Sequence, residues 1–111
     1  MAFIHSNLAN GRWSAMTLAE QLANVGSEFE RALQWKKKNK PQFFDSASAR
    51  MLELMDLTIG DKRWHNHRLK ELTRIREVVC EELFNESPNQ KSIEGLEKYF
   101  LSFGYLARLN K

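Results

Sequence analysis

Residues 14–38 read SAMTLAEQLANVGSEFERALQWKKK. Ala15, Leu18, Leu22, Val25, Phe29 and Ala32 recur in it at alternating steps of three and four. With 3.6 residues per turn, that spacing stacks them on one face of a helix. Such a helix runs about 37 Å, enough to line a small domain from end to end. A second row, Ala19, Ala23 and Gly26, carries side chains short enough for another helix to approach closely. Two starts are open. Ser14 as cap lets Trp13 staple onto Leu18, whereas Thr17 as cap forms a Thr-x-x-Glu box with Glu20. Lys36, Lys37 and Lys38 suit the negative end of the helix dipole, and Asn39-Lys40-Pro41 ends the helix.

Three further segments repeat the pattern. The second, 41–59, starts at Pro41 or at a cap on Asp45 or Ser46. It presents Phe44, Ala47, Met51, Leu54 or Met55, then Thr58 or Ile59, with Gly60 placed as a left-handed residue past its end. GDKRWHNH (60–67) is a polar connection in which Asp61 or Asn66 caps the next helix. The third helix, 68–84, carries Leu69, Leu72, Ile75, Val79 and Leu83. After the turn-rich loop 85–91, the fourth begins near Ser92 and presents Ile93, Leu96, Phe100, Phe103 and Ala107. No stretch alternates as a strand does. The expected fold is all-α, an antiparallel up-down four-helix bundle over residues 13–111, preceded by an N-terminal arm, 1–12, with Phe3, Ile4 and Leu8 free to pack. The runner-up exchanges one helix with a second chain.

At 111 residues, 42% hydrophobic and 28% charged, the chain fits one domain with a real core. The net charge of +3 permits an anionic partner without demanding one. The single Cys80 has no internal partner, which fits a reducing cytoplasm. The N-terminus lacks the charge and apolar run of a signal peptide, and no stretch approaches the roughly 18 apolar residues that span a bilayer. The protein is therefore expected in the cytoplasm, with no membrane partner.

Up-down threading brings distant charges together. Lys36, Lys37, Lys38 and Lys40 fall beside Glu81, Glu82 and Glu86, where the charges offset. The opposite end collects Arg12, Lys62, Arg63, His65, His67, Arg68, Lys70, Arg108 and Lys111, with Trp13 and Trp64 among them. Cations that reach phosphates and indoles that stack on bases make this end the candidate nucleic-acid site. The plainer reading is solvated loop charge, each tryptophan covering a bundle end. Met16, Leu33, Trp35, Phe43, Val78 and Tyr99 lie off the inner faces. With Ala19, Ala23 and Gly26, Trp35 and Phe43 are the candidate interface of a homo-oligomer or of another protein partner.

Little points to catalysis. His65 and His67 with Asp61, and His5 from the arm, fall short of a zinc ligand set, so no metal or other cofactor is expected. Arg63-Trp64-His65-Asn66-His67 resembles the Arg-to-His motif of HEPN ribonucleases, with three residues between Arg63 and His67 where that family has four to six. Cys80 reads as a buried small apolar residue. Glu53 with Arg74, and Asp56 with Arg68 or Lys70, are expected inter-helix ion pairs.

The stretches WSAMTLAEQLANVGSEFERALQWKKK, ARMLELMDLTIGDKRW, RLKELTRIREVVCEEL and EKYFLSFGYLAR together resemble small bacterial helical-bundle proteins of unassigned function. In size and helix count the chain is also similar to bundles associated with ribosomal RNA intervening sequences and with diversity-generating retroelements. That resemblance implies oligomers holding nucleic acid or an enzyme. The expectation is a non-enzymatic interaction protein that self-associates. The alternative is a nucleic-acid-associated bundle, with a HEPN-like nuclease third.

Overall fold

A computed structural model of the chain describes residues 11–109. Its helices are α1 (Leu18–Lys37), α2 (Pro41–Ile59), α3 (Leu69–Leu83) and α4 (Gln90–Leu109), with single 3-10 turns at Trp13–Ala15 and Lys62–Trp64. No strand occurs among the described residues. Most of the expected arm, with Phe3, Ile4, His5 and Leu8, lies outside them, as does Lys111. No described helix is long and apolar enough to cross a membrane.

The first stretch holds the centre. α1 packs along both α2 and α4, and α3 closes against the same two helices more sparingly. Leu22, Val25, Phe29 and Ala32 are fully buried, each large one contributing about 1.5–3 kcal/mol of apolar transfer. Met51, Met55, Leu72, Val79, Leu83, Leu96 and Phe100 complete the core, and the Phe29 and Phe100 rings meet at 5.6 Å. Ala15 is exposed, because it lies in the 3-10 turn ahead of α1.

Capping chemistry sets the ends. Thr17 starts α1: its hydroxyl accepts from the Glu20 N–H at 3.1 Å, and the Glu20 carboxylate accepts from the Thr17 N–H at 2.9 Å. Ser14 bonds instead to the Gly11 carbonyl. At the far end Asn39 takes the left-handed conformation (φ 55°), the Lys40 N–H returns to the Trp35 carbonyl at 3.1 Å, and Pro41 opens α2. Gly60 differs from expectation. It stays right-handed (φ −74°), because its N–H continues the helical ladder to the Asp56 carbonyl. Asn89 caps α4, its side chain accepting from the Lys91 and Ser92 N–H groups.

The charges also differ in detail. Lys36 meets backbone rather than carboxylates: its ammonium donates to the Leu83 and Asn85 carbonyls at 2.7 Å and caps α3. Asp56 pairs with Arg76 at 2.8 Å, not with Arg68 or Lys70. Arg68, at the start of α3, also pairs with Glu71, and Arg74 with Glu77, each three residues along and so a neighbour on the helix surface. Glu28, buried on the core face of α1, is held by Arg31 at 2.7 Å and by Arg50 of α2 at 3.1 Å. Cys80 is half-buried, and burial raises its thiol pKa.

Gly26 explains how α4 comes so near α1. A Cβ added there would stand 2.6 Å from the Phe100 Cβ, whereas one at Gly95 would meet nothing within 4 Å. Chemical denaturation of the two alanine variants therefore gives opposite signs. Gly26→Ala loses about 1–3 kcal/mol through overpacking, and Gly95→Ala gains up to about 1 kcal/mol from helix propensity.

Candidate functional site

Two places concentrate chemistry. The first is the end where Trp13, Trp64 and the Lys62–Trp64 turn meet the start of α1. At its centre Gln21 is fully buried. Its amide nitrogen donates to the Trp13 carbonyl at 2.9 Å and to Asp61 Oδ2 at 3.0 Å, and its carbonyl accepts from Trp64 Nε1 at 2.9 Å. Asp61 also accepts from the Arg63 backbone and guanidinium, while Arg63 reaches on to the Met16 carbonyl at 2.7 Å. The bonds from Arg63 and Gln21 hold the Asp61 carboxyl down at a pKa of about 2.

This latch decides what the expected nucleic-acid residues can do. Trp13 is 3% exposed and so offers no face to a base. The Trp64 ring is half-buried and covered by the Arg63 guanidinium at 4.4 Å. Arg68 pairs with Glu71 and lies 6.0 Å over Phe103. His65 Nε2 sits 2.8 Å from the Ile59 carbonyl. Arg12, Lys62 and His67 are exposed. Lys62 lines a cleft of about 230 Å³ with Trp13, Ser14 and Asp61, whereas Arg108 lies in a different groove. Arg63 and Trp64 are thus spent on the fold, and Arg108 lines another site. Among the described residues no group of three or more His, Cys, Asp or Glu side chains is placed to hold a metal.

The second place is the groove between α1 and α4, about 640 Å³. Its floor is made of small residues, Ala23, Gly26 and Ser27 from α1 with Gly104 and Ala107 from α4. Of the expected interface row, Ala19 and Ala23 are half-buried and Ala23 lines this groove. Gly26 also packs against Phe100 of the same chain, so its missing side chain serves the bundle's own packing. Trp35 and Phe43 stack on each other at 4.7 Å, with Lys38 over the Trp35 ring. Half-buried Trp35 thereby finds its apolar neighbour within the chain.

One wall of the groove joins Glu30 of α1 to Glu97 of α4. Both are half-buried and share a hydrogen bond. Burial, the hydrogen bond and the neighbouring negative charge push the Glu30 pKa up to about 7, against a partial pull from Lys37. On the side of α4 that meets α3, away from this groove, the Tyr99 hydroxyl donates to Glu71 at 2.7 Å, and burial and that carboxylate raise its pKa. The groove can take apolar groups and, at its wall, a hydrogen-bond donor.

Sequence reasoning missed Gln21 and the Glu30–Glu97 pair. Gln21 carried a signal: with Val25, Glu28 and Ala32 it falls on the buried face of the first stretch, where a polar residue needs partners. Glu30 carried none, since its partner is 67 positions away.

Two measurements test these sites. Gln21→Leu leaves the Trp64 N–H and part of Asp61 without partners, so unfolding free energy falls by about 2–3 kcal/mol in denaturant titration. For Glu30 the folded pKa lies above the unfolded value of 4.5, so its stabilising effect is complete below about pH 4.5 and is lost as pH rises through about 7. Melting temperature therefore falls between pH 5 and pH 8, and Glu30→Gln flattens that fall and melts higher than the parent at pH 8. Comparison with protein-family models, with curated proteins and with solved structures found no match for the chain.

Proposed function

We propose that the chain is a non-enzymatic helical-bundle interaction protein that self-associates through the α1–α4 groove and the adjoining outer face of α4. The observation that carries this is a concentration of exposed apolar residues. Leu101 is 66% exposed, Tyr105 57%, Leu106 45% and Leu109 60%, four of the six large exposed hydrophobics among the described residues. All lie on the second half of α4, and Leu101 lines the groove. Clustering of this kind marks a contact surface, whereas singly scattered apolar residues are ordinary.

The bundle is read as up-down, with antiparallel neighbours. Support comes from contacts at the helix ends: Gln21 near the start of α1 bonds Asp61 just past α2, and Lys36 at the end of α1 caps the end of α3. The lone Cys80 fits a cytoplasmic setting. Nucleic-acid binding draws less support, because Trp13 is buried and Trp64 lies under Arg63.

Sedimentation velocity across a concentration series tests the reading. The expected result is a concentration-dependent dimer or larger species, weakened by Leu101→Glu by about tenfold or more, as for a central apolar contact. A monomer at every concentration overturns it.

A further inference from the structure

On the proposal that the chain self-associates rests a more specific one. We infer that a second copy docks antiparallel along α4, about a two-fold axis passing by Leu101.

The outer face of α4 carries the argument. Glu94, Lys98, Leu101, Tyr105 and Arg108 succeed one another at steps of four, three, four and three, and all five are exposed. That spacing keeps them on a single stripe, the pattern of a helix–helix seam. Four of the five also line the α1–α4 groove. The stripe opens on acidic Glu94, passes Lys98, is apolar at Leu101 and Tyr105, and ends on basic Arg108. Glu94 and Arg108 stand seven residues on either side of Leu101, about 10 Å each way.

Such a stripe is complementary to its own reverse. With the axis at Leu101, Glu94 faces the partner subunit's Arg108, and Arg108 faces the partner subunit's Glu94. Leu101 meets its own copy at the centre. Tyr105 comes opposite the partner subunit's Glu97, where a phenol O–H can donate to a carboxylate. Lys98 comes opposite the partner subunit's Gly104, where an added Cβ would find nothing within 4 Å, so the lysine stem has room.

Competing arrangements lose this match. Parallel pairing puts Glu94, Lys98 and Arg108 each against its own copy. Sliding the antiparallel pair by about one turn sets Lys98 against the partner subunit's Arg108 in one direction, and Lys91 against it in the other. Like charges facing each other disfavour those registers and fix the one centred on Leu101. Two-fold symmetry makes each off-axis contact occur twice, so a modest pairing energy counts double.

Charge exchange tests the geometry. Glu94→Arg alone and Arg108→Glu alone each create two like-charge contacts, and each should weaken dimerisation by about tenfold or more in sedimentation at low ionic strength. The double variant, Glu94→Arg with Arg108→Glu, should return to within about threefold of the parent. An equimolar mixture of the two single variants should form a mixed dimer, since every facing pair is then opposite in sign. Circular dichroism melts confirm that each variant is folded, and the mixture reports on pairing even if one variant alone is less stable. Parent-like dimers from both single variants, or a mixture that stays monomeric, would overturn the antiparallel register while leaving self-association intact. A parent chain that is monomeric throughout would remove both.

Discussion

A buried amide at the start of α1 must satisfy every one of its polar atoms, and much of the molecule is arranged around that demand. Gln21 sits on the core face between Leu18 and Val25, with no access to solvent. Left unpartnered there, it would cost about 1–3 kcal/mol for each lost bond. The chain meets the requirement from two directions, with the Trp13 turn that precedes α1 and with Asp61 and Trp64 from the link between α2 and α3. Each of those partners is fixed in turn. Asp61 caps the Lys62–Trp64 turn, and Arg63 spans from Asp61 to Met16 while lying on Trp64. A short polar connection therefore has one conformation, although few apolar side chains anchor it.

The same network engages part of the basic end. Cations and indoles gathered in the sequence look like a nucleic-acid surface because composition cannot distinguish a side chain facing water from one bonded to its neighbours. Here an indole donates inward and a guanidinium covers the ring's outer face. Arg63 serves the fold as a cation on a carboxylate and an aromatic ring, both of which a flexible lysine would hold less well. The opposite end repeats the lesson with different chemistry. Lys36 stands beside the end of α3, yet it binds carbonyl oxygens there instead of glutamate carboxylates. The exposed C-terminal carbonyls of a helix already present the negative pole that a lysine seeks.

Periodicity made the helices legible. The apolar stripes of all four segments give helices in the expected places, and the Thr17–Glu20 box and Pro41 start are local signals read within a few residues. The reading of 14–38 as the central helix depends only on Leu22, Val25 and Phe29 recurring, and those three are fully buried. Partners across the chain were not legible. Asp56 takes Arg76 instead of Arg68 or Lys70 because helix rotation, which no stripe fixes to better than a residue or so, chooses among cations one turn apart. Gly26 shows the limit more sharply. A row of small residues promises close approach by some helix, and the sequence has no means of saying whether that helix belongs to the same chain. Phe100 supplies the answer by filling the space at Gly26, while Ala23 stays at the groove.

That division of the small-residue row connects the bundle's interior to its outer surface. Because Phe100 is drawn tightly onto Gly26, α4 is rotated so that Leu101, its neighbour in sequence, must point away from the core; adjacent helical residues stand about 100° apart. Tyr105 comes one turn later on the same outer side. The close packing that secures α4 from within thus commits an apolar stripe to the outside, bordered by the groove that the small side chains leave open. Glu30 and Glu97 occupy the groove wall, where two ionised carboxylates would repel each other, and the protein holds a proton between them up to about pH 7. A bare bundle gains nothing from an exposed leucine and tyrosine on a helix already anchored by Ile93, Leu96, Phe100 and Ala107. What the packing requires of α4 on its inner side therefore also decides which residues, Leu101 and Tyr105 between Glu94 and Arg108, it leaves on the outer one.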